Sequence, residues 1–219
     1  MTEGRLFIGT RRYSSWSLRG WLAVRLAHLP VEEVVIPLAG GNTQAIKEVS
    51  PNGLVPYLEH GGLKVWESLA ICEHCAELSP NLWPEHLGAR THARVISAEM
   101  HAGFRALRQA MPMVLDVDKK GGGRTPEALA DIARIEALWR DTRAHYGKDG
   151  PFLFGAEFNA ADAMFAPVVT RFLTWQPELA ADTLEYVHAV RGHKLMEEWY
   201  RLAAEEPVEW RLPHYEAAR

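Results

Sequence analysis

The sequence is poor in cysteine and has no long apolar run. Only two cysteines occur among 219 residues, which is too few for a framework of disulfides and suits a reducing compartment. No apolar stretch approaches the roughly 20 residues that a membrane-spanning helix needs. The opening residues also lack the basic-then-apolar pattern of a secretory signal. These absences predict a cytoplasmic protein with no membrane partner.

An excess of positive charge is lacking as well. The chain has 24 basic and 28 acidic residues, a net charge of −4 and a pI near 6.2. Proteins that bind nucleic acid usually carry a basic surface, so we expect no nucleic-acid partner. The ten histidines show none of the short spacings of a zinc site, and we predict no metal.

The first third of the chain alternates strand and helix patterns. Residues 5–9 are strand-like, residues 15–28 have helical periodicity, and "VEEVVIPL" is a β-branched run. Asn42 could then cap a short helix ending at residue 49. Two strands joined by a Gly61–Gly62 turn follow, before a helix that begins at Ser68. The predicted order is βαβ followed by ββα.

The remainder of the chain is predicted to be helical. The stretch "SPNLWPEHLGART" contains two prolines that interrupt both helix and sheet. We therefore predict an N-terminal domain over 1–80, a linker over 81–91 and an all-helical domain over 92–219. Asn159 and Asp162 are spaced as a helix cap and a first-turn acid. Helices are predicted over 87–111, 125–146, 160–173, 182–190 and 193–204.

Four segments together resemble the glutathione transferase family. They are "YSSWSLR", "SPNGLVPYLE", "WESLAICEHCAEL" and "FNAADAMFAPV", in this order along nearly the whole chain. The resemblance implies a thioredoxin-like α/β N-terminal domain (βαβ-ββα) followed by an all-α helical bundle. It also implies glutathione as co-substrate and a homodimer.

The resemblance assigns four residues to glutathione. Val55 and Pro56 match the cis-proline motif of the family, whose exposed backbone pairs with the cysteinyl part of the tripeptide. Glu67 and Ser68 match the pair that binds the γ-glutamyl ammonium and carboxylate. Two alternatives remain open: Pro56 could only protect a sheet edge, and Ser68 could only cap the third helix.

The hydroxyl cluster before the first helix is the candidate catalytic centre. The stretch "SSWSLR" is similar to the Ser-Ser-Cys-Ser-x-Arg motif of serine-type, zeta-class transferases, including bacterial ones. This similarity assigns catalysis to Ser14, with Ser15 second and Tyr13 third, whereas Ser17 belongs to the first turn. A serine here could stabilise the thiolate of glutathione, which is the nucleophile. The alternative is that these hydroxyls only cap the helix.

Three residues are predicted to line the second-substrate pocket: Trp16, Phe104 and Arg108. Trp16 stands where the zeta class has the cysteine associated with maleylacetoacetate isomerisation, which argues against that activity. Phe104 and Arg108 lie on one face of the predicted fourth helix, together with Met100 and Met111. The alternative to a pocket role for any one of these four residues is a contact in the core or in a dimer interface.

Two other features have structural alternatives. Cys72 and Cys75 fit the apolar periodicity of the third helix, so we interpret them as buried fillers. Arg11 and Arg12 could balance the charge of glutathione or could be ordinary surface charges.

The resulting hypothesis is a glutathione transferase with a detoxification role. A serine would activate the glutathione thiolate for attack on a small hydrophobic electrophile. The alternatives are a transferase-like binding or scaffold protein, and a glutathione-dependent isomerase or reductase.

Overall fold

A computed structural model describes residues 3–40 and 43–217; Asn42, the predicted cap, lies outside these ranges. The first unit is a four-stranded mixed sheet with three helices. Strand β1 (Gly4–Gly9) pairs in parallel with β2 (Val31–Ile36) and antiparallel with β3 (Tyr57–His60), and β3 pairs antiparallel with β4 (Leu63–Trp66), in the order β2-β1-β3-β4. The predicted βαβ-ββα order is confirmed. The elements are β1 Gly4–Gly9, α1 Ser15–Leu26, β2 Val31–Ile36, α2 Gln44–Val49, β3 Tyr57–His60, β4 Leu63–Trp66 and α3 Ser68–Leu78.

The β3–β4 turn is formed by the two glycines expected there. Gly61 and Gly62 have φ angles of 57° and 81°, a conformation that side-chain-bearing residues rarely adopt at two successive positions. The turn pairs His60 with Leu63, and so sets where α3 begins.

The second unit is helical. Helix α7 (Ala160–Trp175) is buried along almost its whole length and packs against α1 of the first unit. Among the described residues, no helix is both long and apolar enough to cross a bilayer. Helix α4 begins inside the segment predicted as a linker, and the division near residue 80 stays a prediction. The helices are α4 Leu87–Ala102, α5 Arg105–Ala110, α6 Pro126–Tyr146, α7 Ala160–Trp175, α8 Ala181–Arg191, α9 Lys194–Ala204 and α10 Pro213–Glu216, with 3-10 turns at Pro80–Leu82 and Val208–Trp210.

The prediction of one helix over 87–111 is wrong. Helix α4 ends at Ala102, Phe104 takes a left-handed conformation with φ of 56°, and α5 begins at Arg105. Gly103 caps α4, and a carboxylate from α6 binds the new helix start: Asp131 Oδ2 accepts the Leu107 N–H at 2.9 Å. This contact comes from a distant part of the chain, so the local periodicity could not reveal the break.

A continuous hydrophobic cluster joins the two units. Trp21 on α1, Trp199 on α9 and Met164 on α7 are fully buried in it. Cys72 and Cys75 are free, buried thiols, and burial raises the pKa of both. The interpretation of the two cysteines as core fillers is confirmed.

Asp162 closes the predicted cap of α7. The carboxylate accepts the backbone N–H of Asn159 at 3.0 Å, while Asn159 Oδ1 accepts the Ala161 N–H at 2.8 Å. The Asp162 carboxylate also accepts hydrogen bonds from the Leu153 N–H at 3.1 Å and from the Tyr186 hydroxyl at 2.9 Å. One buried side chain therefore satisfies donors from the loop before α7, from the N-cap of α7 and from α8.

We expect Asp162→Ala to lower the free energy of unfolding by about 3 kcal/mol or more, because it leaves three buried donors without an acceptor at about 1–3 kcal/mol each. Urea unfolding followed by far-ultraviolet circular dichroism measures the change. The control is Asp149→Ala at an exposed position, with an expected change within about 0.5 kcal/mol. Equal effects of the two substitutions would contradict this account of the cap.

Candidate active site

Two adjoining cavities lie at the starts of α1 and α3. The smaller has a volume of about 210 Å³ and the larger about 500 Å³. They share Trp16, Leu54 and Val55 as lining residues. A ligand in one cavity therefore lies next to a ligand in the other, as a reaction between two bound substrates requires.

All four residues predicted to bind glutathione line the smaller cavity. The Val55–Pro56 peptide bond is cis, as its motif implies. Strand β3 begins directly after Pro56 and lies between β1 and β4, so it is not an edge strand. The alternative that Pro56 protects a sheet edge is therefore wrong.

Glu67 and Ser68 form the polar end of the smaller cavity. Helix α3 begins at Ser68, and its N-cap is Glu67, in a left-handed conformation with φ of 68°. Ser68 therefore does not cap this helix, contrary to the alternative. Its hydroxyl is buried and has no hydrogen-bond partner among the described residues. Asn52 Nδ2 donates to Glu67 Oε1 at 3.2 Å, which orients the carboxylate.

The hydroxyl cluster lines the larger cavity. Ser14 is the N-cap of α1, and Ser14 and Ser15 both contact the cavity. Ser14 Oγ lies 2.7 Å from Ser17 Oγ, which accepts the Gly9 N–H at 3.0 Å. Ser17 is completely buried within the first turn of α1, and its hydrogen bond with Ser14 fixes the position of the Ser14 hydroxyl.

Tyr13 lines the same cavity, but its hydroxyl is already engaged. It donates to Glu216 Oε1 at 2.7 Å and accepts the Leu212 N–H at 2.9 Å. Burial raises the pKa of this phenol, and Glu216 adds to the rise. Tyr13 is therefore held as a neutral phenol whose single proton faces a carboxylate.

Of the three residues predicted for the second-substrate pocket, Trp16 and Arg108 line the larger cavity, whereas Phe104 is buried in the core and lines neither cavity. The indole of Trp16 contacts two guanidinium groups. The Cζ atoms of Arg19 and Arg108 lie 4.5 and 5.1 Å from its ring centroid, within cation–π range. Trp16 is thus fixed between the two cavities by charged neighbours.

Arg105 and Arg171 were not predicted as cavity residues from the sequence. Arg105 and Arg171 line the larger cavity beside Arg108. Within the part of the chain that the structure describes, Nη1 and Nη2 of Arg19 and Nε of Arg171 are buried without a hydrogen-bond partner. Burial lowers the pKa of Arg171 to about 9, and the nearby charge of Arg108 contributes to the decrease. Burial also lowers the pKa of Arg19, and the charge of Arg171 adds to this effect. The guanidinium groups come from α1, α5 and α7, and no local pattern connects them.

This arrangement favours anions. Buried guanidinium groups that pair with no carboxylate of the described residues raise the local electrostatic potential, and the free N–H groups at the start of α1 add to it. A nearby thiol would ionise more readily, and a carboxylate in the larger cavity would find several donors.

Neither proposed role for Arg11 and Arg12 is correct. Both side chains are buried and paired with carboxylates of this chain: Arg11 with Glu33 at 2.7 Å, and Arg12 with Glu216 at 2.6 Å. Across residues 3–40 and 43–217, no group of three or more side chains is arranged to hold a metal ion.

Comparison with known protein families identifies both halves of the chain. The model of the glutathione S-transferase N-terminal domain matches residues 13–78, and that of the C-terminal domain matches residues 98–204. The chain belongs to the glutathione S-transferase family. The matched ranges contain both proposed serines and all four proposed glutathione-binding residues.

Individual glutathione S-transferase relatives support the same fold. A probable maleylacetoacetate isomerase of Caenorhabditis elegans is 27% identical over 164 residues, which cover 73% of this chain and 74% of that protein. A glutathione transferase homologue from Burkholderia, solved with bound glutathione, has a TM-score of 0.70 at 18% identity and covers 93% of this chain and 99% of its own. A bacterial zeta-class maleylpyruvate isomerase has a TM-score of 0.69 at 21% identity, with the same coverage.

Proposed function

We propose that the protein is a glutathione-dependent transferase that binds glutathione in the smaller cavity and activates its thiol with Ser14 or Ser15. The observation that carries the proposal is the buried hydroxyl of Ser68, which has no hydrogen-bond partner among the described residues and lies beside Glu67 and the cis Val55–Pro56 bond. A buried hydroxyl without a partner costs free energy, and the carboxylate of a bound tripeptide would complete it.

The smaller cavity offers complementary groups along the length of glutathione. Ser68 and the first N–H groups of α3 would take the γ-glutamyl carboxylate, because a helix start favours an anion. Glu67 would take the γ-glutamyl ammonium. The Val55 backbone would pair with the cysteinyl residue as an added strand does. The Burkholderia homologue with bound glutathione supports the choice of this tripeptide.

Glutathione bound in this way would present its sulfur towards the start of α1. A hydroxyl can donate in either direction, so Ser17 can donate to Ser14 and leave the Ser14 proton for the thiolate. Ser15 lines the larger cavity together with Ser14 and is the second candidate. Either serine would lower the thiol pKa by favouring the charged form.

The co-substrate is an electrophile that carries a carboxylate. The sequence predicted a small hydrophobic electrophile, and Pro112, Met113 and Trp16 do provide apolar lining. Arg108, which is partly buried, and Arg171, which is buried, add positive charge to the same cavity, and an uncharged molecule would leave this charge unpaired. An acid with an apolar body matches both kinds of lining.

Isomerisation of a maleyl keto acid is the second candidate. Thiolate addition to a cis double bond, rotation about the resulting single bond and elimination of the thiolate would give the trans isomer without consuming glutathione. The anion-binding arginines and the similarity to the probable maleylacetoacetate isomerase favour it, whereas Trp16 in place of the zeta-class cysteine argues against it. Turnover of maleylpyruvate with constant glutathione would distinguish isomerisation from transfer.

Calorimetric titration with reduced glutathione tests the binding site. We expect saturable binding by the parent protein. The double variant Glu67→Ala, Ser68→Ala should raise the Kd about 100-fold, because it removes two charge-assisted contacts. The control is Glu77→Ala, Ser79→Ala at the other end of α3, which should leave the Kd within about twofold.

A scaffold protein of the same fold is the alternative. Absence of glutathione binding by the parent protein would favour it and would leave Ser14 as a helix cap alone. A homodimer and a cytoplasmic location also stay predictions from the sequence.

A further inference from the structure

The segment that follows α9 returns to the larger cavity. We call residues 206–217 the strap; it contains the 3-10 turn Val208–Trp210 and helix α10. Leu212 and Tyr215 of the strap line the cavity together with Ser14 and Ser15. The strap is therefore one wall of the space where the co-substrate is proposed to bind.

One phenol connects the strap to the start of α1. The Tyr13 hydroxyl accepts the Leu212 N–H and donates to Glu216 Oε1, so it holds both ends of α10. The rings of Tyr13 and Tyr215 also lie 5.5 Å apart, centroid to centroid. Tyr13 directly precedes the proposed catalytic serine, so the positions of the strap and of Ser14 are linked.

Two buried arginines strengthen this connection. Arg12 Nε pairs with the same oxygen, Glu216 Oε1, at 2.6 Å, and the Arg11 N–H donates to Glu206 Oε1 at 2.8 Å. Lys119 Nζ donates to the Tyr215 carbonyl at 2.6 Å. The beginning and the end of the strap are thus both attached beside the cavity.

We propose that Tyr13 is a positioning residue that fixes the strap against the larger cavity and thereby determines co-substrate binding. Its only proton is donated to Glu216, so it has none to give to a thiolate, and it acts through Leu212 and Tyr215. The role in co-substrate binding rests on the proposed function, whereas the attachment of the strap does not.

Tyr13→Phe removes both hydrogen bonds and keeps the ring. We expect faster amide hydrogen exchange across residues 206–217, measured by mass spectrometry without any ligand. With ethacrynic acid as the electrophile, the KM for this acid should rise about tenfold, as expected for the loss of a hydrogen bond to a charged group. The KM for glutathione and kcat should stay within about twofold.

Matched variants complete the test. Tyr146→Phe, far from the strap in sequence and partly exposed at the end of α6, should change neither exchange nor KM. Glu216→Gln keeps an acceptor for Tyr13 and should change both quantities less than Glu216→Ala does.

Unchanged exchange across 206–217 in Tyr13→Phe would overturn the assignment whether or not the enzyme is active. A large fall in kcat at constant KM would also overturn it, because Tyr13 would then act on the thiol. Failure of the parent protein to bind glutathione would overturn the proposed function instead, and the exchange data would still decide whether Tyr13 holds the strap.

Discussion

Replacing Ser14 and Ser15 together by alanine is expected to lower kcat with glutathione and ethacrynic acid about 100-fold near pH 6.5. A hydroxyl that stabilises the thiolate by about 2.7 kcal/mol lowers the thiol pKa by about 2 units, and one charge-assisted hydrogen bond together with the helix start can supply this. At a pH below the pKa of the thiol, the fraction of glutathione present as the reactive thiolate falls tenfold with each pH unit. The ultraviolet absorbance of bound thiolate against pH measures the shift directly.

The single variants separate the two serines. Ser14→Ala also removes the N-cap of α1, which costs about 1 kcal/mol of stability, so its Tm should fall whichever serine is catalytic. Ser15→Ala carries no such cost. The serine whose removal raises the thiol pKa is therefore identified independently of stability.

Ser97→Ala is the matched control, since Ser97 is another buried serine but lines neither cavity. It should leave the thiol pKa unchanged. An unaltered thiol pKa and rate in the Ser14, Ser15 double variant would mean that these hydroxyls serve the helix alone, and the proposed mechanism would be lost.

The parts of the fold that the sequence predicted correctly depend on neighbours along the chain. The Gly61–Gly62 turn, the cis bond before Pro56 and the Asn159–Asp162 cap each involve residues only a few positions apart. The turn and the cap have local physical causes, namely permitted φ angles and the free N–H groups of a helix start, whereas the cis bond was implied by the resemblance to the family, since the small cis penalty before proline only permits it. A single sequence contains the signals for the turn and for the cap in full.

The features that were missed depend on contacts between distant segments. Asp131 on α6 binds the start of α5. The apolar periodicity of the sequence continues across the end of α4, so the sequence near residue 103 did not indicate that the helix ends there. Arg19 and Arg171 are 152 positions apart in the sequence, yet the packing of α1 against α7 brings their charges to one site. The return of the strap to Tyr13 is of the same kind, and it explains why Arg12 was misread as a surface charge or a ligand contact.

The arginines of the larger cavity should make the enzyme prefer acids over their neutral esters. We expect the parent protein to have a higher kcat/KM for ethacrynic acid than for its methyl ester. In the double variant Arg108→Met, Arg171→Met this ratio should fall at least about 100-fold, since two charge-assisted contacts of about 1.5–3 kcal/mol each are lost. Any loss of folded protein or of thiol activation affects both substrates equally, so it cancels in the ratio.

Two further variants show whether the shape of the guanidinium matters in addition to its charge. Arg108→Lys keeps the charge but loses the planar pair of donors that matches a carboxylate; an intermediate ratio would therefore indicate two-point binding of the acid. Arg134→Met, at an exposed ion pair with Glu99, should leave the ratio unchanged. A parent protein that does not distinguish the acid from its ester would contradict the carboxylate assignment. The purely hydrophobic electrophile expected from the sequence would then be the better description of the co-substrate. In that case the arginines of the larger cavity would act on the thiolate alone.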